Sequence, residues 1–479
     1  MSLMKKYFVL VTVNIFTLVI SYGQNSHYWT LQYGNKTLLL SGAVTGSVTD
    51  LGSVYYNPGF LALQNNPIFT VTAKLLQFTN TKLEGGFGEN IDLARNKLKN
   101  APNLIAGVIK LKFLPKHKFA YSYLTRRTTD LNFTYKNQNL INALPKHDGK
   151  ELLNSEVTWI ENNIEQWAGF TWSYPLNKNM SIGISNFVAI SISNSTFDID
   201  LSAIANDNHI VSYNKKQELN FINIGTLFKI GYAIRYPIIS AGITITTPKI
   251  NIGGNGSFST KKILVGTDTN YTNGSTNIYE ANVQDGLKSK LKSPFSISAG
   301  IGINIKKLTI HLSGEWFDNV SKYNIIKPKK FIGQTSGNEI EYAVVEELLS
   351  VVNVGIAFEY KMDNNIHFYC GFSTDFSASP NNSSLFFEQT SEIYYSTFHS
   401  NIYHYSGGIG FNVKRVNITI GMSYNYSNND ISSPINIPDN ENNQPIKNGN
   451  SATLQNKTWK LLFGLSFPFS EKKKNIDIK

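Results

Sequence analysis

The nearest approach to catalytic chemistry is the pair His311 and Ser313, two residues apart in LTIHLSGEW. A serine nucleophile needs a base within hydrogen-bond reach. Residues two apart on a strand share a face but lie about 7 Å from one another, too far for a direct bond unless both side chains reach. No G-x-S-x-G elbow and no Gly-Lys-Ser/Thr phosphate loop accompanies them. The eight histidines are scattered. The closest, His399 and His404, have no acid at ligand spacing, so no metal site is expected. Cys370 is the only cysteine, which excludes a cysteine-based zinc cluster. The sequence predicts no enzyme, no cofactor and no metal.

The elements that carry these residues are strands. In FSISAGIGINI, Phe295, Ile297, Ala299, Ile301, Ile303 and Ile305 alternate with small polar residues. LTIHLSGEW then places Leu308, Ile310, Leu312 and Trp316 on one face, with His311, Ser313 and Glu315 on the other. Period-two alternation marks a strand with unlike faces. With Lys306-Lys307 as a two-residue turn, Ile305 faces Leu308 and both apolar sets share a side. The same figure recurs around Lys414-Arg415 and around KMDNN at 361–365.

Extended along the chain, this reading predicts an all-β fold of about fourteen strands. Their expected spans are 67–78, 104–113, 118–136, 154–174, 179–197, 217–236, 238–250, 290–305, 308–323, 342–360, 365–376, 398–413, 416–428 and 455–469. Short turns alternate with long polar loops near 79–103, 137–153, 198–216, 251–289, 324–341, 377–397 and 429–454. An even strand count with long loops on one side only is the plan of an outer-membrane barrel. Gly, Ser, Thr and Asn dominate the second face, so the apolar face meets lipid. Lys229, Arg235, Glu315 and Glu359 fall on the lumen side, and Cys370 on the lipid side. Aromatics near strand ends, such as Trp172, Trp316, Tyr360, Tyr424 and Trp459, fit an interfacial girdle. The last strand, TWKLLFGLSFPF, ends in aromatics.

The first residues agree with export. Lys5 and Lys6 precede an apolar core from Tyr7 to Ile20, with Ser21 and Gly23 before Gln24. This reads as a signal peptide over 1–23, too short and too interrupted at Asn14 for a membrane anchor. An exported chain with one cysteine is held together without disulfides. Net charge is +11, and the leader removes only two lysines. A basic exported chain faces anionic lipid or acidic polysaccharide rather than nucleic acid.

Residues 24–66 precede the first strand. A barrel of this size encloses space that its own side chains do not fill. The stretch GAVTGSVTDLGSVYYNPGFLAL at 42–63 is small-residue-rich and apolar-tipped, suited to a plug. Pro58 restrains its own φ and keeps Asn57 out of the helical region. Gly59 is free to take positive φ, and the Asn57 amide is placed to bond the turn. Such a turn would aim Phe60 and Leu61 at a lumen pocket.

This stretch resembles the hatch signature of the FadL/TodX outer-membrane transporters of hydrophobic compounds. Asp50, Tyr55, Tyr56, Asn57, Pro58, Leu61 and Ala62 match its pattern, and Gly59 stands where the family usually has alanine. SPFSISAGIGINIKKLTIHLSGEW, NVGIAFEYKMDNNIHFYCGFSTDFSASP and YSGGIGFNVKRVNITIGMSYNYS are similar to its later strands. The resemblance implies a signal peptide (1–23), an N-terminal hatch (24–66), a fourteen-stranded barrel (67–469) and a basic periplasmic tail (470–479). It implies residence in the outer membrane of a Gram-negative-type bacterium. It implies passive uptake of long-chain fatty acids or aromatic hydrocarbons, with lateral exit into membrane lipid. Leu201, Ile204, Ile210 and Val211 are the candidate capture residues in the 198–216 loop, whose neighbours are otherwise polar. The second reading is a non-transporting barrel that serves as a subunit of an outer-membrane secretion or assembly complex.

Overall fold

In the computed structural model the described residues are 27–64, 69–84, 93–141, 149–266, 277–363, 365–380, 391–395, 400–413, 416–431, 438–439, 444–445 and 452–467. The leader, the Lys414-Arg415 turn, His399 and the basic tail lie outside them.

The hairpin at Lys306-Lys307 shows how the wall is built. Ile305 pairs with Leu308, Ile301 with Leu312 and Ile297 with Trp316. These apolar residues face outward, while Ser296, Ser298, His311 and Ser313 face inward and are buried. Lys306 takes φ of 53° to close the two-residue turn. Repeated fourteen times, this alternation closes an antiparallel ring. Its strands are Phe69–Glu84, Leu93–Ile109, Lys118–Ile141, Glu151–Pro175, Met180–Ile204, Ile210–Arg235, Ile239–Thr246, Ser296–Ile305, Leu308–Phe317, Val351–Lys361, Ile366–Asp375, Ile402–Val413, Val416–Ile431 and Ala452–Phe467. The last strand pairs with the first, Phe467 opposite Phe69, and closes the circle. The outer face carries Ile301, Leu312, Val354, Phe358, Ile409 and Ile420, with Trp316, Tyr360, Tyr405 and Trp459 among them. Cys370 is exposed on that face. No helix among the described residues is long and apolar enough to cross a membrane.

Strand ends depart from the sequence reading on the long-loop side. Residues 198–216 are not a loop. Met180–Ile204 and Ile210–Arg235 run on to a short turn where Ala205 N donates to His209 O at 2.9 Å. Residues 251–289 are largely a strand pair, Ile250–Val265 and Ile278–Lys288, built onto the upper part of Ile210–Arg235. Much of 79–103 is likewise strand. The strands expected at 308–323 and 342–360 each divide. Their upper parts, Val320–Ile326 and Ala343–Leu348, leave the wall and join Glu392–Tyr394 in a small separate sheet.

The reason is a change of apolar phase. On Met180–Ile204 the apolar positions up to Ile192 are mainly even, at Ile182, Ile184, Val188 and Ile190, with Phe187 and Ala189 turned inward. Beyond Asn194 they become odd: Phe197, Ile199, Leu201 and Ala203, all buried on the inner side. The backbone does not slip, so the polarity of the two faces inverts. Twenty-five residues at about 3.3 Å each, tilted by about 45°, rise roughly 55 Å, about twice the height of a roughly 25 Å lipid-facing band. The upper wall therefore stands in water as a sleeve, polar outside and apolar inside. Its outer face carries Asn194, Thr196, Asp198, Asp200 and Ser202; the neighbouring strand repeats the pattern with Trp159, Val157 and Leu153 inward.

Candidate functional site

Residues 27–64 form short turns and helical pieces rather than a strand. Asp50 organises them. Its carboxylate accepts from Lys36 N at 2.6 Å, Thr37 N at 3.1 Å, Thr37 Oγ1 at 3.1 Å and Gly52 N at 2.8 Å. Burial pushes this carboxyl above its ordinary range, and the donors from Thr37, Gly52 and Lys36 oppose that rise. Tyr55 stacks obliquely on Tyr33, with centroids 4.4 Å apart, and the Tyr56 hydroxyl accepts from Tyr33 N at 3.2 Å.

Asn57 is extended, at φ −159° and ψ 100°, and Pro58 opens a 3-10 turn through Leu63. The Asn57 Oδ1 accepts from Gly59 N at 3.0 Å, and its Nδ2 lies 3.2 Å from Thr45 O, 3.0 Å from Tyr232 O and 3.4 Å from Ile243 O. One amide thus joins the turn, an earlier part of the segment and two wall strands. Gly59 is not among the positive-φ residues. A β-carbon there would lie 3.1 Å from Ala233, so close approach to the wall is what glycine permits. Phe60 and Leu61 are packed in apolar clusters and line neither cavity described below.

The wall is small where the segment touches it. A β-carbon on Gly231 would sit 2.2 Å from Asn57 Oδ1, and one on Gly183 would sit 2.4 Å from Pro58 O. Serines and threonines bond the segment's carbonyls. Ser181 and Ser173 donate to Gly59 O, Ser185 to Val54 O, Thr244 to Tyr56 O and Ser406 to Leu39 O. His311 Nδ1 meets Ser47 Oγ at 2.7 Å, and Ser313 Oγ accepts from Thr45 N at 3.0 Å. His311 and Ser313 therefore both bind the segment. Asp375, on another side, accepts from Tyr28 N, Trp29 N and Thr30 Oγ1. Residues 27–64 thus bond inward-facing side chains on strands around the ring.

Two cavities lie against the segment. The inner one is lined by the rings of Tyr28, Tyr55 and Trp167 and by the cations Arg126, Lys229, Lys249 and Lys292. Lys229 Nζ lies 4.4 Å from the centre of the Tyr55 ring, and Arg126 stands 5.6 Å over Trp167. Glu165, Glu315 and Glu346 also line it. The outer cavity runs from Thr30 and Leu31 past Gln77, Thr79 and Lys460 to the stretch Arg127–Phe133. Arg127 lines both.

The wall beside the outer cavity is incomplete. Lys118–Ile141 pairs with the following strand along its whole length. With the preceding strand it pairs only from Phe119 to Leu124, against Leu104–Ile109. Above that point, 93–103 and 125–141 share no ladder. A bulge inserts Arg126 between Thr125 and Arg127 at this level. A bulge bends its strand and ends regular pairing. Sequence alternation does not signal it, and the lining arginines and Lys249 were not among the expected site residues. Lys229 was expected in the lumen and is there.

Among the four capture residues, Leu201 is buried inward and Val211 packs on the inner Leu153–Ala203–Ala205 cluster. Ile204 and Ile210 oppose one another across the terminal turn, and Ile210 is 55% exposed. Among the described residues no group of acids, histidines or cysteines is arranged to hold a metal.

No family model and no curated protein matches the chain. Solved structures do. A FadL homologue of Pseudomonas aeruginosa aligns over 93% of this chain and 100% of its own, with TM-score 0.53 and 11% identity. The toluene transporter TodX of Pseudomonas putida aligns over 92% and 99%, with TM-score 0.55 and 10% identity. The monoaromatic hydrocarbon channel CymD aligns over 92% and 99%, with TM-score 0.51 and 12% identity. These neighbours are channels and transporters rather than enzymes. The chain has the fourteen-stranded barrel fold of the FadL and TodX channels.

Proposed function

We propose that the protein is an outer-membrane channel for passive uptake of hydrophobic molecules, in which residues 27–64 act as a hatch. The observation that carries this reading is the unladdered seam between 93–103 and 125–141, beside a cavity that touches the N-terminal segment. A solute held above the hatch has a sideways route out through the foot of the seam, at the upper edge of the lipid-facing band, and need not cross the filled ring. The apolar inner face of the sleeve supports capture from outside. The inner cavity joins aromatic rings to cationic groups, which suits an amphiphile such as a long-chain fatty acid better than a bare aromatic hydrocarbon. The solved neighbours that transport toluene or monoaromatic hydrocarbons support the broader class.

The test is deletion of Arg126, which removes the bulge and lets the seam pair further. Uptake of a labelled long-chain fatty acid into cells should fall, while barrel yield and heat-resistant migration persist. Arg126→Gln keeps the bulge without its charge and separates geometry from electrostatics. Unchanged uptake with the bulge deleted would sink lateral exit.

A second reading, as a subunit of a membrane complex, is favoured by the same seam. Its two unpaired edges offer backbone groups that a partner strand is able to join. Purification in mild detergent, followed by mass spectrometry of bound lipids and proteins, separates the two.

A further inference from the structure

The sleeve's inner face is mostly apolar, with Glu151 and Glu161 buried on one strand and a pair of lysines on two others. Lys215 on Ile210–Arg235 lies directly opposite Lys262 on Ile250–Val265. Both follow the inward parity of Leu219, Phe221 and Phe258, and both are half-buried. Like charges directly opposite on one face repel. On the other flank of Lys215 stands Ile199, an apolar neighbour. Glu280 is opposite Lys262, but its carboxylate turns toward Gly333. Among the described residues neither lysine makes an ion pair.

The next pair along, Lys216 opposite Lys261, faces outward and differs. Lys216 bonds Glu218 at 2.7 Å, and Asp198 lies across the strand. The outer pair is neutralised by acids of the chain itself. The inner pair, in less polar surroundings, is not.

We infer that Lys215 and Lys262 form an anion-binding station that receives the acidic head group of an amphiphile inside the sleeve, before the ligand reaches the inner cavity. The inference rests on the channel reading above. The lysines point inward, so phosphates of the surrounding membrane are on the wrong side to fill the station. Two lysines in direct register on one face suit a carboxylate or a phosphate monoester, and the apolar wall beside them suits the alkyl chain.

The experiment uses the full barrel in lipid nanodiscs, with radiolabelled dodecanoate, dodecyl phosphate and dodecanol as probes. The double variant K215M/K262M should weaken binding of both acids about tenfold, the loss expected for one charge-assisted contact, and leave dodecanol unchanged. The outward control K216M/K261M should bind all three like wild type. Raising salt should weaken the acids alone in wild type, which needs no variant to fold. Loss for only one acid assigns the head group. Equal loss of dodecanol, no loss of either acid, or the same loss in the outward control overturns the station. Wild-type protein that binds none of the three sinks the channel reading itself, a result distinct from those.

Discussion

The strand Met180–Ile204 meets two environments along one backbone. Its lower half turns Ile184, Val188 and Ile192 to the outside and keeps Ser181, Gly183, Ser185 and Ser191 within. Its upper half does the opposite, with Asp198, Asp200 and Ser202 outside and Phe197, Ile199 and Leu201 inside. The lower half faces lipid outside and the polar backbone of residues 27–64 inside. Small wall residues are needed there because the segment approaches backbone to backbone. The upper half faces water outside, and its interior is left to apolar side chains. Each face follows its solvent, and alternation alone does not say which.

The largest effect that tests this contrast is a lysine placed in each half on the outer face. Ile301→Lys puts a charge in the lipid-facing band, where it should cost about 2–4 kcal/mol. Thr196→Lys puts the same charge on the outer face of the sleeve and should change stability by no more than about 0.5 kcal/mol. Urea unfolding in lipid vesicles measures both. Equal costs would show that the sleeve is also in lipid.

A smaller effect is expected where the segment meets the lower wall. Asn57→Ala removes the amide that joins Thr45, Tyr232 and the turn, and leaves their buried carbonyls with fewer donors. The docking of residues 27–64 should weaken by about 1–3 kcal/mol, with the wall unaffected. A cysteine at Ser53, fully buried in the wild type, reports it. Thiol labelling by a bulky reagent should be slow in the parent and faster with Asn57→Ala. Unchanged protection would mean that the amide does not hold the segment.

Legibility in the sequence follows the same contrast. The lower wall was readable because its outer face is apolar and its inner face small, as at Ile297, Ile301 and Ile305 against Ser296, Ser298 and Gly302. The short Lys306-Lys307 turn then fixed the register of two strands. The sleeve was not readable because the apolar phase changes near Asn194 while the strand continues. Polar residues at even positions beyond it looked like a loop. The Arg126 bulge was invisible for another reason. One extra residue leaves no mark on composition, yet it brings Arg126 and Arg127 to one cavity. The division of 308–323 and 342–360 depends on contacts with Glu392–Tyr394, distant in the chain.

Next in size is the sleeve's own lining. Leu201→Ser with Val211→Ser makes its inner face more polar near the tip. Binding of a hydrophobic solute should weaken by about 1 kcal/mol, or roughly fivefold, for partial loss of apolar contact. Titration of the nanodisc-embedded barrel with dodecanol reads this without a charge contribution. A variant that binds as tightly as wild type would remove the sleeve from the capture path.

The smallest expected effect is the most specific. Leu201, Ile204, Ile210 and Val211 form one apolar group in the sequence, at the ends of a turn. Parity divides them. Leu201 and Val211 belong to the inner face, and Val211 packs on the cluster of Leu153, Ala203 and Ala205. Ile204 and Ile210 are paired with each other and belong to the outer face, where Ile210 is largely in water. A residue on the outer face of a sleeve standing in water touches neither the lipid below nor a solute within. Ile204→Ser with Ile210→Ser should therefore leave dodecanol binding unchanged and shift stability by no more than about 0.5 kcal/mol. The two double variants remove similar apolar side chains from the same turn, so a general loss of tip structure would affect them alike. If the outer pair weakens binding as much as the inner pair, capture occurs on the outside of the tip, and the inverted polarity of the sleeve is only a device for solubility.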